Sequence, residues 1–530
     1  MTATLFRLSP LDAAVVVASG LLFVVIKYVK RGMEPVTKLP CPPSAQAHWL
    51  WGHEYAIWEG EASRKYFEWT ELLGPVFRVK AAFFQRDVIV AGDAASSTHV
   101  LQYAYRYEKA PGFLPITVKL LGRGVVWAHG NEHKHQRKLI TPAFTVSAVR
   151  GMEADVFESA EKLVNRLKSV IESRGDGTVV NIEPHVASCT LDVIGRIAFG
   201  HDFGSGESSD AKAISEAWHK DVVLGRTFAG FLAPILIGSF PWINNLPIPA
   251  LQQDGVTKQI ALRLATRILA ENRENLKVGG GRDILSLLVR DSEQRKKETG
   301  EALEDWQLLE NISTFIMVGH ETTSCSVIFT LLELARHPEV QARLQAEIRA
   351  LNDFNYEDLS KLEYLDAVTK EGLRLHPASP RTDRIALEDD VIPLSTPIQT
   401  RGGKTITEIP VKAGQVIQVP LSVLNCNPAI WGADAYEFKP SRWLTPGGPA
   451  DADAMPRGPY SNLATFVDGP RTCIGWRLAV MEFKVILAVL IRDFVFETTG
   501  ARIEEYISGT LQAFCEGKGA NMPLKIRLAA

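Results

Sequence analysis

The sequence predicts a mainly α fold with a small β region, preceded by one N-terminal transmembrane helix. Three observations predict it. Most of residues 60–385 reads as helix, with apolar residues at helical spacing. From about Asp389 to Val419 the texture changes to short strand-like runs with turn signals. An uncharged, mostly apolar run, AAVVVASGLLFVVI, covers residues 13–26. The 530 residues, 46% apolar and 22% charged, hold ample material for a large core. A net charge of −3 gives no electrostatic ground for a nucleic-acid partner, and none is expected.

The run at 13–26 is short for a spanning helix and could also be a signal-peptide core. Two features favour an uncleaved anchor. No small-residue cleavage site comes after it, because the chain continues into KYVKRG. Lys27, Lys30 and Arg31 after the run outnumber Arg7 before it, which places the downstream domain on the cytoplasmic side. The proline-fixed segment Leu39-Pro-Cys-Pro-Pro43 cannot continue a helix and is expected to space the anchor from a globular body. The boundaries drawn are residues 1–31 for the anchor, 32–53 for the linker and 54–530 for the body. A second apolar stretch, residues 228–248, is broken by Pro234, Pro241 and Asn244–Asn245. It is expected to be a surface or loop against membrane or at a substrate entrance.

Helices are expected at Glu153–Ser173, Lys258–Lys277, Trp306–Arg336 and Glu339–Leu351, and a hairpin around Arg401–Lys404. A last helix comes after Cys473, and the tail after Phe494 reads as strand. Gly403-Lys404-Thr405 is no phosphate loop, because Ile398 stands where a glycine is required. Asn311-Ile-Ser313 fits a glycosylation pattern by coincidence, inside an apolar helix.

Six cysteines are scattered without paired or zinc-type spacing, as in a reducing compartment. One of them stands out. Residues 466–475 read FVDGPRTCIG and run into the helical stretch WRLAVMEFKVILAVLI. A helix start offers free N–H groups and a positive dipole end, both of which stabilise a thiolate. Flanking glycines let the backbone approach a flat group closely, and Arg471 can pair with a carboxylate. An electron-rich sulfur presented in this way suits an iron porphyrin.

The pattern FxxGxRxCxG, matched at Phe466, Gly469, Arg471, Cys473 and Gly475, resembles the haem-binding signature of the cytochrome P450 family, membrane-anchored and microsomal in type. The resemblance implies the P450 fold, with residues 54–530 as a haem-thiolate catalytic domain. Cys473 would ligate the iron of haem b (heme b, iron protoporphyrin IX), Phe466 would pack near the sulfur, and Arg471 would pair with a propionate.

Other segments agree in order and spacing. Glu371 and Arg374 in KEGLRLHP lie on one helical face and resemble the family's ExxR helix. Arg442 in FKPSRW would complete a buried Glu–Arg–Arg network, with Ser441 replacing the usual glutamate. The run VGHETT at 318–323 looks like the family's distal stretch, in which Glu321 and Thr322 relay protons to iron-bound dioxygen; Val318 stands where Ala or Gly is usual. His133 and Arg137 lie four apart, hence on one helical face. They resemble the WxxxR pattern that meets a propionate, with His133 in the Trp position. Arg384 resembles a strand arginine of the same function.

The implied reaction is monooxygenation, either hydroxylation or epoxidation, of a lipophilic small molecule. A terpenoid or other secondary metabolite is the favoured class. Dioxygen is the co-substrate. The tail is too short for flavin domains, so electrons are expected from NADPH through a separate diflavin reductase. The implied location is the endoplasmic reticulum membrane, single-pass and in contact with membrane lipid, with the catalytic domain facing the cytoplasm. Two alternatives remain: a non-oxygenating haem-thiolate isomerase or dehydratase, and a non-catalytic membrane haem-binding protein. Family members that work without dioxygen characteristically lose the acid–alcohol pair, which is intact here.

Overall fold

The computed structural model describes residues 34–246, 254–277, 283–298, 300, 302–351, 353–445 and 457–529. The anchor expected at 13–26 lies outside the described residues.

The principal helices, labelled in chain order, are α1 (Ala94–Gln102), α2 (Phe113–Leu120), α3 (Gly130–Ile140), α4 (Glu153–Arg174), α5 (Glu183–Phe199), α6 (Ser209–Gly225) and α7 (Phe228–Ser239). They continue as α8 (Val256–Lys277), α9 (Asp305–Arg336), α10 (Pro338–Arg349), α11 (Glu363–Leu375) and α12 (Trp476–Asp493). The four helices expected from spacing are present as α4, α8, α9 and α10, with ends moved by one or two residues.

Helix α9 is buried over most of its length because it threads the core. It is the one described helix long and apolar enough to cross a membrane, yet 83% of its most apolar window is buried inside the protein. A capping box between Glu304 and Gln307 starts it. Pro338, at the first position of α10, marks where it stops. Gly319 lets α5 cross it closely, since a Cβ there would stand 2.5 Å from Ile194 Cγ1. Beside it, Thr190 Oγ1 donates to the His320 carbonyl across the same crossing at 2.9 Å.

The β region is larger than the helical spacing of residues 60–385 suggests. Strands β1 (Val76–Val79), β2 (Val88–Ala91), β3 (Tyr107–Lys109) and β4 (Thr178–Asn181) all fall in that stretch. Strands β1 and β2 are buried at every position. Strand β2 reads as a continuous apolar run, and β1 is interrupted only by Arg78, which is buried and paired with Asp87, so neither shows the alternation that betrays a half-exposed strand. Strands β1 to β3 join β5 (Thr382–Ala386) and β8 (Val416–Val419) in a sheet of order β1-β2-β8-β5-β3. The expected hairpin is β6 (Asp390–Gln399) and β7 (Thr405–Val411). In the tail, β9 (Phe494–Thr498) pairs with β13 (Pro523–Leu528), and β10 (Ile503–Ser508), β11 (Thr510–Cys515) and β12 (Gly519–Ala520) form a third sheet.

The linker, in its described part, is no free spacer. Val36 and Leu39 are buried in the core beneath the first sheet. The Pro40 carbonyl accepts from Arg78 N at 2.9 Å, and His53 N donates to the Lys80 carbonyl at 2.9 Å. The apolar stretch after residue 228 is helical over α7, with Pro234 inside it, and meets α6 at 78°. Phe228 and Trp242 remain exposed, as expected of a surface segment.

Candidate functional site

The Cys473 loop is held by its own backbone. Cys473 N donates to the Phe466 carbonyl at 2.9 Å, and Thr472 N to the Gly469 carbonyl at 3.0 Å. Gly469 has φ +71°, and a Cβ there would strike the Leu101 carbonyl oxygen at 2.4 Å, so the loop can lie on the end of α1 only with glycine at this position. Gly475 caps α12 and offers its N–H to the cysteine sulfur. The Cys473 side chain is exposed, yet burial beneath the surrounding chain raises its thiol, with the Gly475 N–H and Arg137 opposing. Both hold for a thiol lining a deep recess. The other five cysteines are also free, and four of them are buried.

Around this loop the fold gathers cations. Arg137 Nη1 donates to the Thr472 carbonyl at 2.6 Å. Arg471 donates to the Ala128 carbonyl at 3.0 Å and pairs with Glu108. Burial works to raise the Glu108 carboxyl, but His129, the Gly130 N–H and Arg471 outweigh it and hold it at about 2. On the neighbouring strands, Lys109 stands directly opposite Arg384. Arg384 is buried, and among the described residues its Nε has no partner and its guanidinium meets one acceptor, the Asp383 carbonyl at 3.5 Å. Burial and then Arg471 lower the Arg384 guanidinium to about 10. Burial, Arg471 and Arg384 hold Lys109 well below its usual range. His133 is buried beside Tyr105 Oη, 3.1 Å from Nδ1. Burial, Arg471, Lys109 and Arg137 push it down to about 3, so it is neutral.

The charges do not balance. Lys109, Arg384 and Arg471 face one carboxylate, Glu108; the Asp383 carboxyl shares its field with Arg381 and Glu54. Like charges set opposite each other on adjacent strands are unfavourable unless an anion joins them. A haem fits this arrangement, because its two propionates supply the missing negative charge and Cys473 offers a soft ligand in the same recess. His133, Arg137, Arg384 and Arg471, all expected from the sequence, are therefore brought together. Lys109 and Glu108 carry no signal in the sequence alone. They lie on a three-residue strand that only its pairing with β5 connects to Arg384. Lys109→Met is accordingly expected to raise the stability of haem-free protein while speeding haem loss about tenfold, roughly one charge-assisted hydrogen bond. Haem transfer to a scavenger globin, beside urea unfolding of the apoprotein, measures both signs.

Glu371 and Arg374 are fully buried, not a surface pair. Five N–H groups converge on Glu371: Arg374 Nε and Nη2, Arg442 Nε, Trp443 Nε1 and Lys439 N, all at 2.8–2.9 Å. Arg374 also donates to the carbonyls of Ala435, Asn425 and Glu437, and Arg442 pairs with Asp434. Ser441 is exposed, so the missing acid leaves the network intact.

On α9, Val318 and Thr322 share a half-exposed face one turn apart, and Thr322 Oγ1 donates to the Val318 carbonyl at 2.7 Å. Glu321 is buried. Its Oε2 meets Gln512 Nε2 at 3.3 Å and Thr510 Oγ1 at 3.5 Å, both on β11. Burial and then Glu183 raise the carboxyl to about 8, against those two donors. No hydrogen bond among the described residues joins this pair to the Cys473 loop.

Comparison with known proteins agrees with this geometry. Residues 42–514 match the family model described as Cytochrome P450. The chain is 34% identical over 478 residues to cytochrome P450 monooxygenase claP of Ampulloclitocybe clavipes, covering 87% of this chain and 88% of that protein. It is 32% identical over 537 residues to claU of the same fungus, covering 98% and 97%. It is also 30% identical over 488 residues to cytochrome P450 monooxygenase 205 of Postia placenta, covering 89% and 88%.

Proposed function

The chain belongs to the cytochrome P450 family and is a haem-dependent monooxygenase, and from that premise we propose which residues carry the reaction and on what it acts. Cys473 would bind the iron of haem b through its thiolate. Lys109, His133, Arg137, Arg384 and Arg471 would hold the propionates, and Phe466, Gly469 and Gly475 shape the thiolate loop. The observation that supports this best is the accessible Cys473 thiol on a loop beside which Lys109, Arg384 and Arg471 outnumber Glu108, the carboxylate they face.

The haem, when bound, supplies reductive activation of dioxygen at an iron made electron-rich by the thiolate. The chain's own residues supply protons and position. Thr322 faces the open side of α9 and must turn its hydroxyl away from the Val318 carbonyl to serve as a donor. Glu321, protonated at neutral pH because of its burial, replenishes that proton. Val318 narrows the space beside Thr322, which favours flat or slender ligands.

The substrate is a lipophilic small molecule, with a terpenoid or other secondary metabolite the favoured class. Exposed Phe113 at the start of α2, Gly112 so close to α7 that a Cβ there would stand 3.2 Å from Gly238 Cα, and the apolar Leu511 and Phe514 of β11 support an apolar access route. Electrons come from NADPH through a separate diflavin reductase. The protein is placed at the endoplasmic reticulum membrane by residues 1–31, with the catalytic domain facing the cytoplasm. Exposed Trp49, Phe84, Phe228 and Trp242 support a face turned to lipid.

Reconstitution with a diflavin reductase, NADPH and isotopically labelled dioxygen tests the reading. One labelled oxygen atom is expected in the product and one in water. In Glu321→Gln, product formation is expected to fall on the order of 100-fold, the usual worth of a positioned acid, while NADPH consumption continues as peroxide. Conversion without dioxygen would overturn it.

A further inference from the structure

Glu321 has a second neighbour, the side chain before it. His320 is buried, and its Nδ1 lies 2.7 Å from the Ile316 carbonyl one turn back. A carbonyl can only accept, so in the neutral ring the single proton belongs to Nδ1 and Nε2 is left as a bare acceptor. Nε2 faces Glu321 Oε1 at 3.6 Å. The other carboxyl oxygen, Oε2, faces the Gln512 amide donor. The backbone here is fixed as well, since Thr190 Oγ1 of α5 donates to the His320 carbonyl.

These contacts give each carboxyl oxygen a different character. Oε2 faces a donor and is served as an acceptor. Oε1 faces a lone pair, and two acceptors pointed at each other inside a protein are unfavourable unless a proton lies between them. The 3.6 Å separation lies just beyond hydrogen-bond length, so the bond needs Oε1 to approach Nε2 more closely than it stands here.

We propose that His320 is a positioning residue that keeps Glu321 in its protonated form, with the acid proton on Oε1 directed at His320 Nε2 as the store from which Thr322 is resupplied. This rests on the proton-delivering function of Glu321 and Thr322 proposed above. Burial brings both groups to the same state, lowering His320 to about 4 and raising Glu321 to about 8. The remaining titratable neighbours are Glu183 of α5, whose charge also raises Glu321, and Cys325 on the next turn of α9, itself raised by burial. Neither stabilises a carboxylate. The acid is therefore neutral below about pH 8 and is lost as a donor as pH rises through that value.

Infrared difference spectroscopy of the haem-loaded protein reads the pair without turnover. A carboxylic-acid carbonyl band that downshifts in heavy water and is absent in Glu321→Gln is expected at neutral pH. In His320→Phe, which fills the space without an acceptor, that band is expected at higher frequency, with peroxide release per NADPH up about fivefold, the scale of one lost hydrogen bond. His320→Gln places a carbonyl oxygen near the Nε2 position and is expected to restore both. An unshifted band in folded His320→Phe would overturn the proposal. Should that variant not fold, the wild type decides: no acid band assignable to Glu321 at neutral pH means an imidazolium–carboxylate pair instead. Failure of turnover with the band and its shift intact would count against the oxygenation reading and leave the His320–Glu321 pair standing.

Discussion

Glu371→Ala is expected to cost about 3–5 kcal/mol of folding stability, the scale of breaking a buried ion pair from one side. Burial works to raise the Glu371 carboxyl, but Arg374, Arg442 and the Lys439 N–H outweigh it and keep it charged. Removing it strands the Arg374 guanidinium, of which no part is exposed, and orphans the Trp443 and Lys439 N–H groups with it. Arg442 keeps Asp434, so the damage centres on Arg374. The loss is expected to appear as collapsed holoprotein yield and a lowered urea midpoint. Ser441→Glu, which installs the family's usual acid at an exposed position, is expected to stay within about 0.5 kcal/mol of wild type. Equal effects from the two changes would mean that the network is not what holds this part of the fold.

Cys473→Ala is expected to do the reverse, sparing the fold and removing the chemistry. The loop is closed by backbone bonds, Cys473 N to Phe466 O and Thr472 N to Gly469 O, which alanine retains. Arg137 holds the Thr472 carbonyl, not the thiol. Apoprotein stability is therefore expected within about 1 kcal/mol of wild type, because alanine gives up the Gly475 N–H contact of the sulfur and keeps the loop's backbone bonds. Monooxygenase turnover is expected to fall to background, since no other described cysteine shares this recess. Parallel urea unfolding and turnover assays separate the two effects.

The features legible in the chain are those whose parts lie close together along it. The Cys473 decapeptide, the Glu371–Arg374 turn and the Val318–Thr323 turn each carry their geometry in local spacing, and the long helices announce themselves by their apolar period. The illegible parts are made by strand pairing and by residues far apart in sequence. Strands β1 and β2 are short and buried on both faces, so no alternation marks them. Glu108 meets Arg471 across more than three hundred residues, and Lys109 gains its meaning only from its register with Arg384. Arg471, expected on a propionate, has Glu108 beside it as well, a pairing that no local pattern could reveal. His320 reads in the sequence as the unassigned position of a motif. Its importance comes from the Ile316 carbonyl one turn back, which fixes its tautomer.

Every step proposed for the reaction depends on Cys473 presenting a thiolate to haem iron. The carbon monoxide difference spectrum of the dithionite-reduced protein, recorded beside Cys473→Ala, tests it most directly. A strongly red-shifted Soret band is expected in the wild type and is expected to vanish in the variant. A band at the position typical of histidine-ligated haem, or no band from well-folded haem-loaded protein, would contradict it.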